Sequence, residues 1–282
     1  MKSAMPLAST ATLALTAALL TPDALGQGAV QDLGPGEARA VSADGSVVVG
    51  TEGRWTEAKM KAIRDSRIQG TRSLSESLAG LEHRPSVMVS ASAIGFYGNA
   101  GSETQSEAAG RGEGFLAEVC EAWEEATRPA VEAGIRVVNL RIGVILTAAG
   151  GALEQMLLPF QMGLGGPMGN GNQMMSWVSL DDILGAIQHC LFEDIAGPVN
   201  ATAPTPVSQR ALAKTLGRVL RRPALLPAPG AALKLVLGKE AAQAMILGGS
   251  RVMPSRLEQT GFEFYYPDLE DCLRMELGKL TD

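Results

Sequence analysis

The sequence predicts an α/β protein: a parallel sheet flanked by helices, followed by a small helical C-terminal subdomain. Three observations predict it. From Arg54 onward, segments of helical period alternate with strand-like runs, the β-α-β order that builds a parallel sheet covered by helices. The runs SVMVSAS (86–92) and IRVVNLRIGVIL (135–146) are rich in apolar residues throughout, as strands buried on both faces are. Beyond Pro204 the pattern is mostly helical and is broken by the proline-rich LRRPALLPAPG.

Taken in order, residues 1–27 read as a signal-like segment: Lys2, then the uncharged run Leu7 to Leu20, then a break and a small-residue stretch before Gln27. Fourteen apolar or small residues are too few for a transmembrane span. Residues 28–53 read as short strands around the turn Ala43-Asp44-Gly45 and resemble one copy of a glycine-rich extracellular repeat, which alone is weakly ordered. Thr56 caps a helix with Met60, Ile63, Arg67, Leu74 and Leu78 on one side. A second helix is expected from about Gly114 to Ala133, and one strand from Ile135 to Leu146. A third helix begins near Leu180, with Asp181 and Asp182 as helix-start residues. The expected domains are 54–203, a partial dinucleotide-binding body, and 204–282, a small helical unit.

Composition narrows the function. The chain of 282 residues is 46% apolar, with 24 basic and 30 acidic residues and a net charge of −6. That leaves no basic footprint for nucleic acid. Two histidines and three cysteines show no metal-ligand spacing, so no metal site is expected. Cys120, Cys190 and Cys272 each fall in an apolar helical pattern and read as buried reduced thiols, which fits a reducing compartment. The signal-like start points instead to export. The two signals conflict, leaving periplasmic or extracellular against cytoplasmic.

The segments SASAIGFYG (90–98), LRIGVIL (140–146), LLPFQMGLGGPMGNGNQMMSWVSLDD (157–182) and LGGSRVMPSRLEQTGFEF (247–264) together resemble one family. It is the atypical extended short-chain dehydrogenase/reductase family of nucleoside-diphosphate-sugar epimerase-like proteins, and the resemblance covers residues 54 to about 278. It implies a truncated Rossmann-like parallel sheet, since about seventy family residues precede the match, and NADP or NAD as cofactor. The implied substrate is a small molecule of sugar-nucleotide type. By resemblance, Ser92 takes the reaction serine's place and Tyr97 is the nearest ionisable substitute for the usual tyrosine. Phe115 and Val119 stand where a tyrosine and lysine would be, facing Ser92. Arg67 and Ile145 match cofactor contacts, and Arg141 and Trp177 are expected at the substrate pocket. Ser179 stands in place of a histidine, and GLGGPMGNG reads as a shaped loop over that pocket.

Two motifs are absent from the sequence. No Gly-x-Gly-x-x-Gly occurs, so no glycine turn of that type brings a pyrophosphate to a helix N-terminus. No Tyr-x-x-x-Lys occurs either. Impaired dinucleotide binding is the expectation, as is self-association through an exposed sheet edge. The alternative reading is a non-catalytic exported or chimeric protein.

Overall fold

The computed structural model describes residues 55–280; the signal-like segment and the repeat lie outside them. The oxygen of Thr56 accepts the amide of Lys59 and starts α1 (Glu57–Ala79). α1 ends at its cap Gly80, and after Pro85 come β1 (Val87–Ala93), a 3₁₀ turn (Ile94–Tyr97) and the short β2 (Thr104–Gln105). The single helix expected over 114–133 is two: α2 (Phe115–Glu125) and α3 (Arg128–Glu132). Pro129 explains the break, because a residue without an N–H fits only the first turn of a helix, and it sits in the first turn of α3.

The expected strand 135–146 is also two, β3 (Arg136–Ile142) and β4 (Val144–Leu146). Gly143 is the pivot. Its amide bonds Ala201, while that of Val144 bonds Ser176, so the chain leaves one sheet for another within one residue. A side chain at Gly143 would meet the Ser176 carbonyl at 2.8 Å. Then come α4 (Gly151–Gln161), β5 (Met174–Met175), β6 (Trp177–Ser179), α5 (Leu180–Phe192) and β7 (Gly197–Ala201). The C-terminal part holds β8 (Val207–Ser208), α6 (Gln209–Val219), α7 (Gly230–Leu237), α8 (Lys239–Ala242), β9 (Arg251–Val252), α9 (Ser255–Gln259) and α10 (Leu269–Glu276).

The central sheet is parallel, in the order β1-β3-β7, and the fold is Rossmann-like α/β. Side chains alternate across it. Val138, Leu140, Ile142 and Val199 pack with Ile183, Ala186 and Cys190 of α5 on one face. Met88 and Val137 pack with Ala130 of α3 on the other. A separate core joins Leu146, Leu153, Trp177, Leu212, Leu216 and Leu273. The chain after residue 204 does not stand apart. Its β8 and β9 pair with β5 and β2, and Leu257 is buried in the core under α5. No helix among the described residues is long and apolar enough to cross a membrane.

Candidate functional site

The register of the sheet puts three polar residues in one row. Ser92 on β1 is level with Arg141 on β3, and Arg141 with Asn200 on β7. All three are buried. Each lies one residue before the carboxyl end of its strand, where open α/β sheets bind ligands.

One carboxylate from α2 closes the row. The Ser92 hydroxyl donates to Glu124 Oε1 at 2.7 Å. Arg141 meets the same carboxylate twice, Nε to Oε1 and Nη2 to Oε2, each at 2.8 Å. The Arg141 Nη1 donates to the Tyr97 hydroxyl at 3.0 Å, and Tyr97 donates onward to Asn200 Oδ1 at 2.7 Å. The guanidinium carbon also lies 3.4 Å from the Phe96 ring centroid, a cation over an aromatic face.

The electrostatics follow from burial. Desolvation dominates at Tyr97 and raises its pKa, although Arg141 and the Asn200 hydrogen bond pull it down. The phenol is therefore held neutral, a donor rather than a base. Burial alone would lower the pKa of Arg141, but its bonds to Glu124 and the carboxylate charge reverse this, and the net shift is upward. Arg141 stays charged.

Glu124 and Arg141 also line an open groove of about 1020 Å³, with Phe96, Arg111, Asn139 and Pro198 on its walls. The side-chain amide oxygen of Asn139, Oδ1, is buried there without a hydrogen-bond partner. The arrangement offers a small polar molecule hydrogen-bonding groups beside a fixed ion pair.

The structure thus brings together Ser92, Tyr97 and Arg141. Arg67, on α1, faces α2: its Nη1 bonds the Ile63 carbonyl at 3.0 Å, and its guanidinium sits 5.4 Å from the Trp123 ring centroid. Ile145 and Trp177 lie elsewhere, on the paired strands β4 and β6. Trp177 is fully buried, and its ring N–H donates to the Thr205 carbonyl at 3.0 Å. It fills a core, which corrects its reading as a wall of an open pocket. The expected meeting of Ser92 with Phe115 is corrected too. The Ser92 hydroxyl turns to Glu124, nine residues on and about 13 Å farther along the helix at 1.5 Å per residue. Val119 is buried, and the Phe115 ring packs edge-on against Trp55.

Sequence reasoning missed Glu124 and Asn200. Glu124 had a signal: it follows Ala117 and Cys120 at helical spacing, a charge on the buried side of α2. Asp182 proves to be a staple. Its carboxylate accepts the Ser179 hydroxyl at 2.6 Å and the Tyr265 amide at 2.7 Å, tying the start of α5 to the C-terminal tail.

The glycines of GLGGPMGNG face their own chain. A side chain at Gly165 would meet the Phe160 ring at 2.4 Å, and one at Gly166 the Leu226 carbonyl at 2.2 Å. The loop is packed shut rather than open to a phosphate. Among the described residues it does not fit a dinucleotide's pyrophosphate, and no group of three or more His, Cys, Asp or Glu is placed to hold a metal.

Known proteins share this architecture. Residues 228–275 match a family model described as a domain of unknown function, DUF1731. The epimerase family protein Mb2239 of Mycobacterium bovis is 40% identical over 221 residues, 78% of this chain and 72% of that protein. The chain belongs to the epimerase family. The epimerase family protein SDR39U1 homolog of Arabidopsis thaliana, described as chloroplastic, is 41% identical over 224 residues, 78% of this chain and 64% of that one. Among solved structures, human epimerase family protein SDR39U1 with NADPH matches at a TM-score of 0.76 and 31% identity, covering 80% of this chain and 77% of that chain. The nucleoside-diphosphate sugar epimerase of Corynebacterium glutamicum matches at 0.65 and 34%, covering 81% and 45%. At the level of family and fold these relatives agree with the resemblance carried by residues 90–98, 140–146, 157–182 and 247–264.

Proposed function

We propose that this chain is an NAD(P)-dependent epimerase or reductase-like protein of the atypical short-chain dehydrogenase class, acting on a small polar substrate of sugar-nucleotide type. Its dinucleotide binding is weakened, because the sequence offers no Gly-x-Gly-x-x-Gly turn and the packed 163–171 loop does not replace one. The observation that carries the reading is the likeness, over 80% of this chain, to a human relative crystallised with NADPH. Ser92 and Tyr97 supply the hydroxyls that meet substrate, Arg141 orients them, and Arg67 and Ile145 contact the cofactor. This body spans residues 54–203, and 204–282 completes it.

The test is titration of the purified full chain with NADPH, followed by nicotinamide fluorescence. Half-saturation near or above about 1 mM, roughly −4 kcal/mol, is the expected result. Saturable binding well below that overturns the weakened site and keeps the family activity. No binding at about 10 mM, with no turnover of any nucleotide sugar, overturns NAD(P) dependence.

A further inference from the structure

Charge is spread unevenly along this chain. Its net charge is −6, yet residues 195–239 hold seven Lys or Arg and no Asp or Glu. Five of these cations lie on α6 and its exit. Arg210, Lys214 and Arg218 recur every fourth residue on the exposed side of α6, and the exposed Arg221 and Arg222 follow. The opposite side of α6, with Leu212, Leu216 and Val219, is in the core. Arg218 is answered by Glu270 of α10. Among the described residues no carboxylate pairs with Lys214 or Arg222.

An apolar surface adjoins that charge. Arg221 takes a left-handed backbone (φ 52°), which turns the chain out of α6, and residues 223–230 then run beside 163–169. The Leu226 amide bonds the Gly165 carbonyl at 3.3 Å, that of Ala228 bonds Pro167 at 3.0 Å, and that of Gly169 bonds Ala228 at 2.9 Å. This places Leu225 and Leu226 beside Met162 and Leu164 at the exit of α4, with Leu158 one turn earlier. All five are exposed: Leu225 79%, Leu158 65%, Met162 59%, Leu164 54% and Leu226 52%. Prolines at 223, 227 and 229 fix φ along the loop, so the two leucines are held outward before anything binds.

We propose that this face, the exit of α4 with the 221–227 loop, docks on an anionic lipid surface. The leucines and Met162 enter the headgroup layer, and Arg221, Arg222 and Lys214 meet the lipid phosphates. Both halves of the face are needed for this choice. A nucleic acid would use the cations and leave the leucines in water, whereas a lipid surface is negative outside and apolar beneath. The attachment is peripheral, since no helix among the described residues is long and apolar enough to cross a membrane.

Co-sedimentation of the full chain with vesicles, and its mass by light scattering, test the assignment. Wild type should partition onto vesicles of equal parts phosphatidylglycerol and phosphatidylcholine about tenfold better than onto phosphatidylcholine alone. Salt at about 0.5 M should remove most of that preference. Arg222→Glu and, separately, Leu225→Ser with Leu226→Ser should each weaken partitioning about tenfold. Their urea midpoints should stay at the wild-type value, since the changes are on the surface. No binding of wild type to the anionic vesicles overturns the assignment without need of a variant. So does binding that the leucine changes leave intact, or tighter binding to short duplex DNA than to vesicles. A wild-type dimer that the leucine changes convert to monomer also overturns it, by putting a second copy on the face.

Discussion

The β7 and β1 edges border the same sheet, yet among the described residues polar side chains from distant segments seal only the β7 edge. At β7, Glu107 and Arg256 reach backbone groups from segments far away in sequence. At β1, among the described residues, no strand pairs on the side away from β3. At the β7 edge the polar satisfaction comes with the return of the chain through β2, β9 and α9. Between the edges runs the row Ser92, Arg141, Asn200, with Glu124 as its common acceptor at one end.

Breaking the row should have the largest effect. Arg141→Met leaves the Glu124 carboxylate buried without its partner and the Tyr97 hydroxyl without a donor. A loss of about 3–5 kcal/mol is expected in urea unfolding, as for other buried pairs stripped of one member. Unsealing the β7 edge should cost less. Glu107→Ala strands the amides of Asn200 and Arg256, and about 1–3 kcal/mol is expected. Exchange at Asn200 should rise in that variant while β1 is unaffected.

A smaller, graded effect should appear with pH. Burial pushes the thiols of Cys120 and Cys272 up to about 12 and that of Cys190 to about 11. Tyr97 is raised by burial as well. A group whose folded pKa exceeds its unfolded value stabilises fully below the unfolded value and loses that contribution as pH rises through the folded one. The urea midpoint should therefore be flat from pH 7 to about 8.5 and fall steadily toward pH 11. A midpoint unchanged at pH 11 would mean that these groups ionise without leaving the fold. At pH 8 a thiol reagent should label all three cysteines only on unfolding.

Much of this was legible in the sequence. The parallel strands at 87–93 and 136–142, the Thr56 cap and the start of α5 follow from period, buried apolar runs and capping residues. The short strands β2, β4, β5, β6, β8 and β9 were not, because two or three residues hold no period. Ser92, Tyr97 and Arg141 came from resemblance, and their convergence rests on sheet register, which one sequence does not display. Trp177 was misread because a glycine-rich loop beside it looks open in sequence, while the fold packs that loop shut. Glu124 was passed over as one of several charges on an amphipathic helix.

The fold and the candidate site share one buried unit, in which Glu124 and Arg141 depend on each other. A double-mutant cycle in urea unfolding with Glu124→Leu, Arg141→Met and the pair tests it most directly. The pair should lose less than the sum of the single losses, by at least about 1.5 kcal/mol, because neither charge is then left alone in the core. Losses that simply add would mean that the two side chains contribute independently and form no such unit.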